Sequence, residues 1–343
     1  MENQNILITG GCGYIGLHLS KLMKHYNIII YDNLKFGNSY MNKFSKVYKG
    51  DLSEENKLDF LFKKYKFKLV IHLAGLAHIS ESIEDPKLYY YNNLILSIKL
   101  LNIAVKYEIK YFIFSSSCTV YGNHLLKNDK QHKMKEDDFI KPINPYGNTK
   151  MMFESILIDY SNKYNFNYSI LRYFNACGSD PEFEVGEYHQ NEKRIIPRII
   201  KYSLGLIDNF CIFGNDYDTK DGTAVRDYTH VMDIAKAHLC ALNYMINLKK
   251  SLVCNIGSGK GYSINDLIKL VEKISEKKLE IKIKKRREGD SGYMVCSNKL
   301  AKKLLKWEPE FTIEDIIYTS YQWYSIHLPK IKDFLHLERI YNI

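Results

Sequence analysis

Short runs of consecutive apolar residues punctuate the first half of the chain: Ile6-Leu7-Ile8, Ile28-Ile29-Ile30-Tyr31, Leu69-Val70-Ile71-His72-Leu73 and Tyr111-Phe112-Ile113-Phe114. Apolar residues in succession, rather than in alternation with polar ones, mark strands of a parallel sheet buried on both faces by helices. Stretches with helical spacing lie between them, such as Leu88 to Tyr107, apolar at Leu94, Ile98, Leu101 and Val105. This strand-helix-strand rhythm predicts an α/β fold, a Rossmann-type doubly wound parallel sheet. After Tyr168-Ser169-Ile170-Leu171 it loosens into loops, with helices expected over Ile195 to Gly205 and Asn265 to Ser275. These predict a smaller C-terminal α/β lobe closing over the carboxyl ends of the strands. The expected division is 1–175 for the sheet domain, with a return segment near 227–256, and 176–226 plus 257–343 for the smaller lobe. Residues 123–144, polar, lysine-rich and without period, read as a long surface loop.

A chain of 343 residues is long enough for a large core and a second lobe. Its net charge of +10 comes from lysines spread along the sequence. The densest basic run, Lys282 to Arg287, breaks at once into Glu288-Gly289-Asp290, too short for a nucleic-acid tail, so no nucleic-acid partner is expected. Seven cysteines, odd in number and scattered, lack any CxxC or CxxH spacing. No metal site is expected from them, and reduced thiols are. With neither a charged leader before an apolar segment nor an apolar run near the roughly 20 residues that span a bilayer, the expectation is a cytoplasmic protein without a membrane partner.

Gly10-Gly11-Cys12-Gly13-Tyr14-Ile15-Gly16 follows the first strand and opens a helix, the context a dinucleotide fingerprint requires. Gly10 permits the tight turn, Gly13 lets backbone approach a pyrophosphate, and Gly16 allows close helix packing. The helix N-terminus adds amide donors and positive partial charge. A glycine triplet alone also serves many purely steric turns. Asp32, just past the second strand, makes the signal specific: its carboxylate can accept from an adenosine ribose 2′-hydroxyl and would repel a 2′-phosphate, which favours NAD over NADP. Gly50-Asp51-Leu52 and Ala74-Gly75-Leu76-Ala77, at later strand ends, suit the adenine edge and close backbone approach.

Tyr146 and Lys150 stand four apart at the start of a helix expected to run to Tyr164, with Pro145 at its entry. A phenol of reference pKa about 10 is a poor base at neutral pH, but a neighbouring ammonium and a bound nicotinamide cation favour the phenolate. Among 28 tyrosines a Tyr-x-x-x-Lys arises easily by coincidence. Order makes it specific: glycine loop, Asp32, Ser115-Ser116-Ser117 at a strand end, then the pair.

With those residues in place the sequence resembles the extended short-chain dehydrogenase/reductase family, and within it the UDP-glucose/UDP-galactose 4-epimerases. The likeness covers nearly the whole chain, through Thr9 to Gly16, Phe112 to Gly122, Pro145 to Lys150, Leu171 to Asn175, Phe213 to Tyr217, Asp221 to Val231 and Arg287 to Asp290. It implies reversible oxidation of a UDP-hexose at C4 by NAD, with Tyr146 as base and hydride returned to the opposite face of a 4-keto sugar. Lys150 would hold the nicotinamide ribose and lower the Tyr146 pKa; Ser117 and Thr119 would orient the hydroxyl. Implied cofactor contacts are Gly10, Gly13, Tyr14, Ile15, Gly16, Asp32, Asn33, Asp51, Leu52, Ala74, Gly75 and Asn92, joined by Tyr146, Lys150, Tyr173 and Phe174. Asn175, Arg194, Ile195, Phe213, Arg226, Arg287, Asp290 and Met294 would meet the substrate. A homodimer is implied too.

Three positions depart from the family pattern. Ala77 replaces a common lysine, Arg194 stands where Asn or His usually meets the diphosphate, and Met294 occupies the place whose bulk gates a 2-acetamido group. Among relatives, 4,6-dehydratases carry a carboxylate just after the strand-end Ser or Thr, where this chain has Cys118-Thr119. Epimerisation is favoured over elimination. Other UDP-sugar 4-epimerases, acting on N-acetylglucosamine, glucuronate or pentose forms, stay open, as does a non-catalytic NAD- or RNA-binding relative.

Overall fold

The consecutive apolar runs assemble as their pattern predicts. Seven parallel strands lie in the order Leu252–Ile256, Asn167–Tyr173, Tyr111–Ser117, Leu69–His72, Asn5–Thr9, Asn27–Asp32 and Lys46–Lys49. The computed structural model describes residues 4–37, 42–122, 132–187, 192–287 and 290–341. Successive side chains of a strand point to opposite faces, and both faces are apolar here. Ile6, Ile8, Ile30 and Ile113 pack under helix Val231–Leu248 through Ile234, Ala237 and Met245. Leu7, Ile29, Phe112 and Phe114 pack against Phe62, Leu100, Phe153 and Leu157 of the helices on the other side. From Asn5–Thr9 the chain first builds outward in one direction and then, from Leu69–His72, in the other. Between those two strands their carboxyl ends splay into the crevice where ligands bind in such sheets.

The expected helix Leu88 to Tyr107 is not continuous. Pro86–Tyr89 is α-helical, Tyr90–Ile95 makes a π-helical turn, and Leu96–Lys106 resumes the α-helix. The wider turn moves the buried stripe to Asn93, Leu96, Ser97, Leu100, Leu101 and Ala104, leaving Leu94, Ile98 and Val105 only partly covered.

Strands Asn175–Cys177, Val225–His230, Gly261–Ser263 and Tyr293–Cys296 build a second sheet. Helices form over Ile195–Ser203 and Ile264–Ser275, as expected; the second starts in a capping box between Ser263 and Asp266. The C-terminal helix Ile313–Tyr341 completes the lobe, burying Trp323 and Tyr324 with Ile199 and Phe210. The expected surface loop needs correction. Residues 123–131 lie outside the described residues, but Lys133–Met134 pairs in parallel with Tyr293–Cys296, and Met134 is buried. A two-residue strand has no readable period, and its partner lies far along the chain. The Lys21 ammonium, on helix Tyr14–Leu22, ties the lobes by reaching Asp180, Glu182 and Glu184 at 2.6, 2.7 and 2.8 Å. Among the described residues no helix is long and apolar enough to cross a membrane, and all seven cysteines are free thiols.

Candidate active site

A cavity of about 620 Å³ opens between the carboxyl ends of the parallel strands and the second lobe. Its floor begins at Gly10, which leaves strand Asn5–Thr9 with φ +70°. A Cβ there would stand 2.6 Å from the Ala74 amide nitrogen, so the turn after the first strand and the turn after Leu69–His72 touch backbone to backbone. Gly16 is as confined, for its Cβ would fall 2.5 Å from Gly11 Cα. The loop delivers Gly13 as N-cap of helix Tyr14–Leu22, whose first residues, Tyr14, Ile15 and Gly16, line the cavity, so that the helix presents its positive end there. Asp32, 8 % exposed, lines the same floor. Its two oxygens accept from the amides of Cys12 (3.0 Å) and Leu34 (2.8 Å), which lock the carboxylate to the glycine loop. Burial raises its pKa and those amides oppose the rise. Asp51 is held by Asn33 at 2.8 Å and by Ser53, bonds that keep it below the usual carboxylate range against its partial burial.

Helix Pro145–Tyr164 supplies the reactive groups, entered through Asn144, whose side chain accepts from the Gly147 amide, and Pro145. Tyr146 faces the cavity and meets the Ser117 hydroxyl. Thr119 donates to that same oxygen through its amide (3.2 Å) and hydroxyl (3.0 Å), so Ser117 is left oriented toward the phenol. Lys150, 5 % exposed, donates to the Ser115 carbonyl at 2.8 Å and lies 5.8 Å from the centre of the Tyr146 ring. Burial pushes the phenol up to about 12, against the Ser117 hydrogen bond, and pushes the Lys150 amine down to about 8. The expected lowering of the phenol by Lys150 does not emerge in the protein itself: burial dominates, and the opposing group is Ser117.

Across the cavity the second lobe contributes Asn175, Ile195, Phe213, Arg226, Arg287, Asp290 and Met294. Arg226 is aimed by the carbonyls of Val225 (3.0 Å) and Ser291 (2.5 Å). Arg287 lies over the Phe213 ring at 4.7 Å and bonds Asp290 at 3.0 Å. Arg194 also reaches the cavity, but its guanidinium pairs with Glu187 and Glu192 and lies 5.8 Å over the Tyr14 ring. Its charge is engaged by two carboxylates, unlike that of Arg226. Burial pushes Glu187 up to about 8, opposed by Arg194. Met294, 6 % exposed, packs with Phe174 and Cys296.

Every residue given a catalytic, cofactor or substrate role from the sequence lines this one cavity, from Gly10 to Met294. Tyr173 and Asn92 are tied to the surrounding fold as well. Tyr173 shares a 2.6 Å hydrogen bond with His238, and the Asn92 amide caps the Leu88 carbonyl at 2.9 Å. Asn93 was missed. Its side chain accepts from the Leu76 amide (2.8 Å) and donates to the Leu76 carbonyl (2.9 Å), fixing the Ala74 to Ala77 turn. Only the π-helical turn brings it inward, and nothing in the local sequence announces that turn. Glu154 and Arg172, paired behind strand Tyr111–Ser117, were missed as well.

The model of the NAD dependent epimerase/dehydratase family matches residues 6–257. A UDP-glucose 4-epimerase of Rhizobium meliloti (strain 1021) is 39% identical over 328 residues, covering 95% of this chain and 98% of that protein. Among solved structures, a UDP-glucose 4-epimerase from Bifidobacterium longum in complex with NAD+ and UDP matches with TM-score 0.88 and 34% identity, covering 94% of this chain and 99% of that one. A UDP-Glc/GlcNAc 4-epimerase from Campylobacter jejuni matches with TM-score 0.80 and 33% identity, over 94% and 99% of the two chains.

Proposed function

Because the chain belongs to the NAD dependent epimerase/dehydratase family, we propose that it interconverts UDP-glucose and UDP-galactose by transient, NAD-dependent oxidation at C4. The observation that carries this is the Tyr146 phenol and Ser117 hydroxyl at the sheet's carboxyl end, facing Arg226 and Arg287 across one cavity. NAD suits the floor: the Gly10 turn leaves no room for a Cβ, the N-terminal turn of helix Tyr14–Leu22 lines the cavity, and Asp32 suits a ribose hydroxyl. When bound, NAD supplies the acceptor and donor for the C4 hydride. Tyr146 takes the proton of the 4-hydroxyl and returns it, while Ser117 and Thr119 hold that oxygen in line. Lys150 keeps a positive charge beside the phenol. Arg226 and Arg287 hold the diphosphate by charge-assisted bonds, and Asp290 accepts from a hydroxyl.

The domain division drawn from the sequence, 1–175 with 227–256 against 176–226 with 257–343, belongs to the same proposal. So do a homodimer and a reducing cytoplasmic setting, supported by seven free thiols. Tyr91, Ile95 and Met152, on adjacent helices, stand exposed and suit a subunit contact; a monomer in sedimentation velocity would remove the dimer.

Incubation of the purified protein with UDP-galactose, without added oxidant, is expected to give a mixture with UDP-glucose from either direction. Stoichiometric reduction of NAD with build-up of an oxidised sugar would sink the epimerase reading. UDP-N-acetylgalactosamine is expected to react with lower kcat/KM, since Met294 is bulky and packed; equal values would take the gating role from it.

The pKa of Lys150 sets an upper pH limit. A depressed lysine is charged below its pKa and neutral above it, so the ammonium is lost as pH rises through about 8. The kcat profile is expected to fall on its alkaline side near there, and a profile flat well beyond it would remove the charge of Lys150 from the reaction.

A further inference from the structure

Tyr146, Lys150 and Glu154 follow at four-residue intervals on helix Pro145–Tyr164 and so share one stripe of it. The first two face the cavity; Glu154, 4 % exposed, lies behind it in the core. Its carboxylate accepts from the Ser116 hydroxyl and from Nε and Nη2 of Arg172 at 3.0 and 2.7 Å. Ser116 sits between Ser115, whose carbonyl takes the Lys150 ammonium, and Ser117, whose hydroxyl meets the Tyr146 phenol. Arg172 stands opposite Ser116 in the neighbouring strand and bonds the Tyr121 hydroxyl at 2.9 Å, which in turn bonds Asn255 at 2.7 Å. One buried carboxylate thus joins the catalytic helix to two strands at the level of the reacting groups.

A buried ion pair is a weak source of stability, because apolar residues of similar volume hold a core as well. This pair supplies what they would not: a fixed helix-to-strand register and a negative charge one helical turn from Lys150. The groups around Lys150 are Tyr146 on its own helix, the Phe114 ring and Ser115 carbonyl on strand Tyr111–Ser117, and His72 on Leu69–His72. Tyr173, on the next strand, approaches through Ser115. His72 is kept neutral at working pH, its pKa pushed down to about 3 by burial and by Lys150. Burial drives the Lys150 amine down, and Glu154 is the charge that opposes it.

We propose that Glu154 is a positioning residue of the epimerase site, holding Ser115 and Ser117 in register with Lys150 and Tyr146 and setting its carboxylate one helical turn behind the Lys150 ammonium. The proposal rests on the epimerase reading above. Glu154→Gln keeps the shape and removes the charge. The Lys150 ammonium is then lost at lower pH, so the alkaline limb of kcat moves by about one pH unit toward acid and turnover near pH 8 falls about fivefold. KM for UDP-galactose stays within about twofold, because no substrate contact has changed. Without any turnover, the same shift appears in the Lys150 titration followed by NMR of ¹³Cε-lysine-labelled protein, assigned by the signal missing from Lys150→Met. Glu154→Asp keeps the charge and returns the limb to its wild-type position.

An unpaired Arg172 can unfold the single variant, so the double variant Glu154→Gln, Arg172→Met supplies a neutral pair of similar volume. It is expected to fold and to shift Lys150 in the same direction. A folded single or double variant whose Lys150 titrates where wild type does overturns the proposal. Wild-type protein that fails to interconvert UDP-sugars overturns the epimerase reading instead, and the titration result stands apart from it.

Discussion

Tyr146→Phe is expected to bind NAD as the wild type does and to lose turnover by about 10²- to 10⁴-fold, the range that a positioned general acid or base contributes. The substitution removes one oxygen and little else. The ring keeps its edge contact with Tyr89 (6.3 Å between centres) and its place beside Lys150, and the cofactor floor of Gly10, Gly13 and Asp32 is untouched. What disappears is the group that moves the 4-hydroxyl proton. Burial makes that phenol reluctant to ionise, with a pKa of about 12. Each unit removed from such a value is worth about 1.4 kcal/mol, and a positive charge brought beside the phenol, such as that of a bound oxidised nicotinamide, would act in that direction. The measurement is UDP-galactose turnover together with the NAD content released on denaturation. A variant that turns over like wild type removes Tyr146 from the base role; one that has lost its NAD shows instead that the phenol supports the cofactor.

Much of this site could be read from the chain because its chemistry is local. The glycine loop, Asp32 past the next strand and the Tyr146/Lys150 pair are each fixed by a few residues of sequence and one element of secondary structure. The buried strands were legible for the same reason: two covered faces demand apolar residues in succession. Substrate-lobe residues such as Arg226, Arg287 and Met294 come from separate segments, and only family resemblance brought them together before the structure did.

What stayed hidden is long-range or geometric. Lys133–Met134 pairs with Tyr293–Cys296 across the chain, and Arg172 meets Glu154 from another strand. The π-helical turn that carries Asn93 inward depends on packing rather than on any residue that breaks a helix. Arg194 illustrates the limit from the other side. As a residue type in a substrate lobe it suggests a phosphate contact, and the fold keeps it in the cavity wall while also seating it between Glu187 and Glu192, an engagement that residue type alone does not announce.

Gly10→Ala is expected to cost the protein its cofactor, with NAD affinity lowered by at least about 100-fold, or about 2.7 kcal/mol, and a lower melting temperature. Two penalties add at this position. The left-handed backbone, φ +70°, costs an alanine roughly 1–2 kcal/mol. The new Cβ would also stand 2.6 Å from the Ala74 nitrogen and 2.7 Å from its Cα, atoms of backbone that cannot rotate away. Strands Asn5–Thr9 and Leu69–His72 are hydrogen-bonded neighbours up to Thr9 and His72, immediately before the two turns, so relief requires prising apart the sheet where the crevice opens. Gly205→Ala is the control that separates strain from collision. Its φ is +68°, nearly that of Gly10, yet a Cβ there meets nothing within 4 Å. That variant should lose only the conformational term and keep its NAD and its turnover. If Gly10→Ala keeps its NAD and melts like the Gly205→Ala control, the contact between the two turns does not shape the cofactor floor, and the dinucleotide must be held by other parts of the cavity.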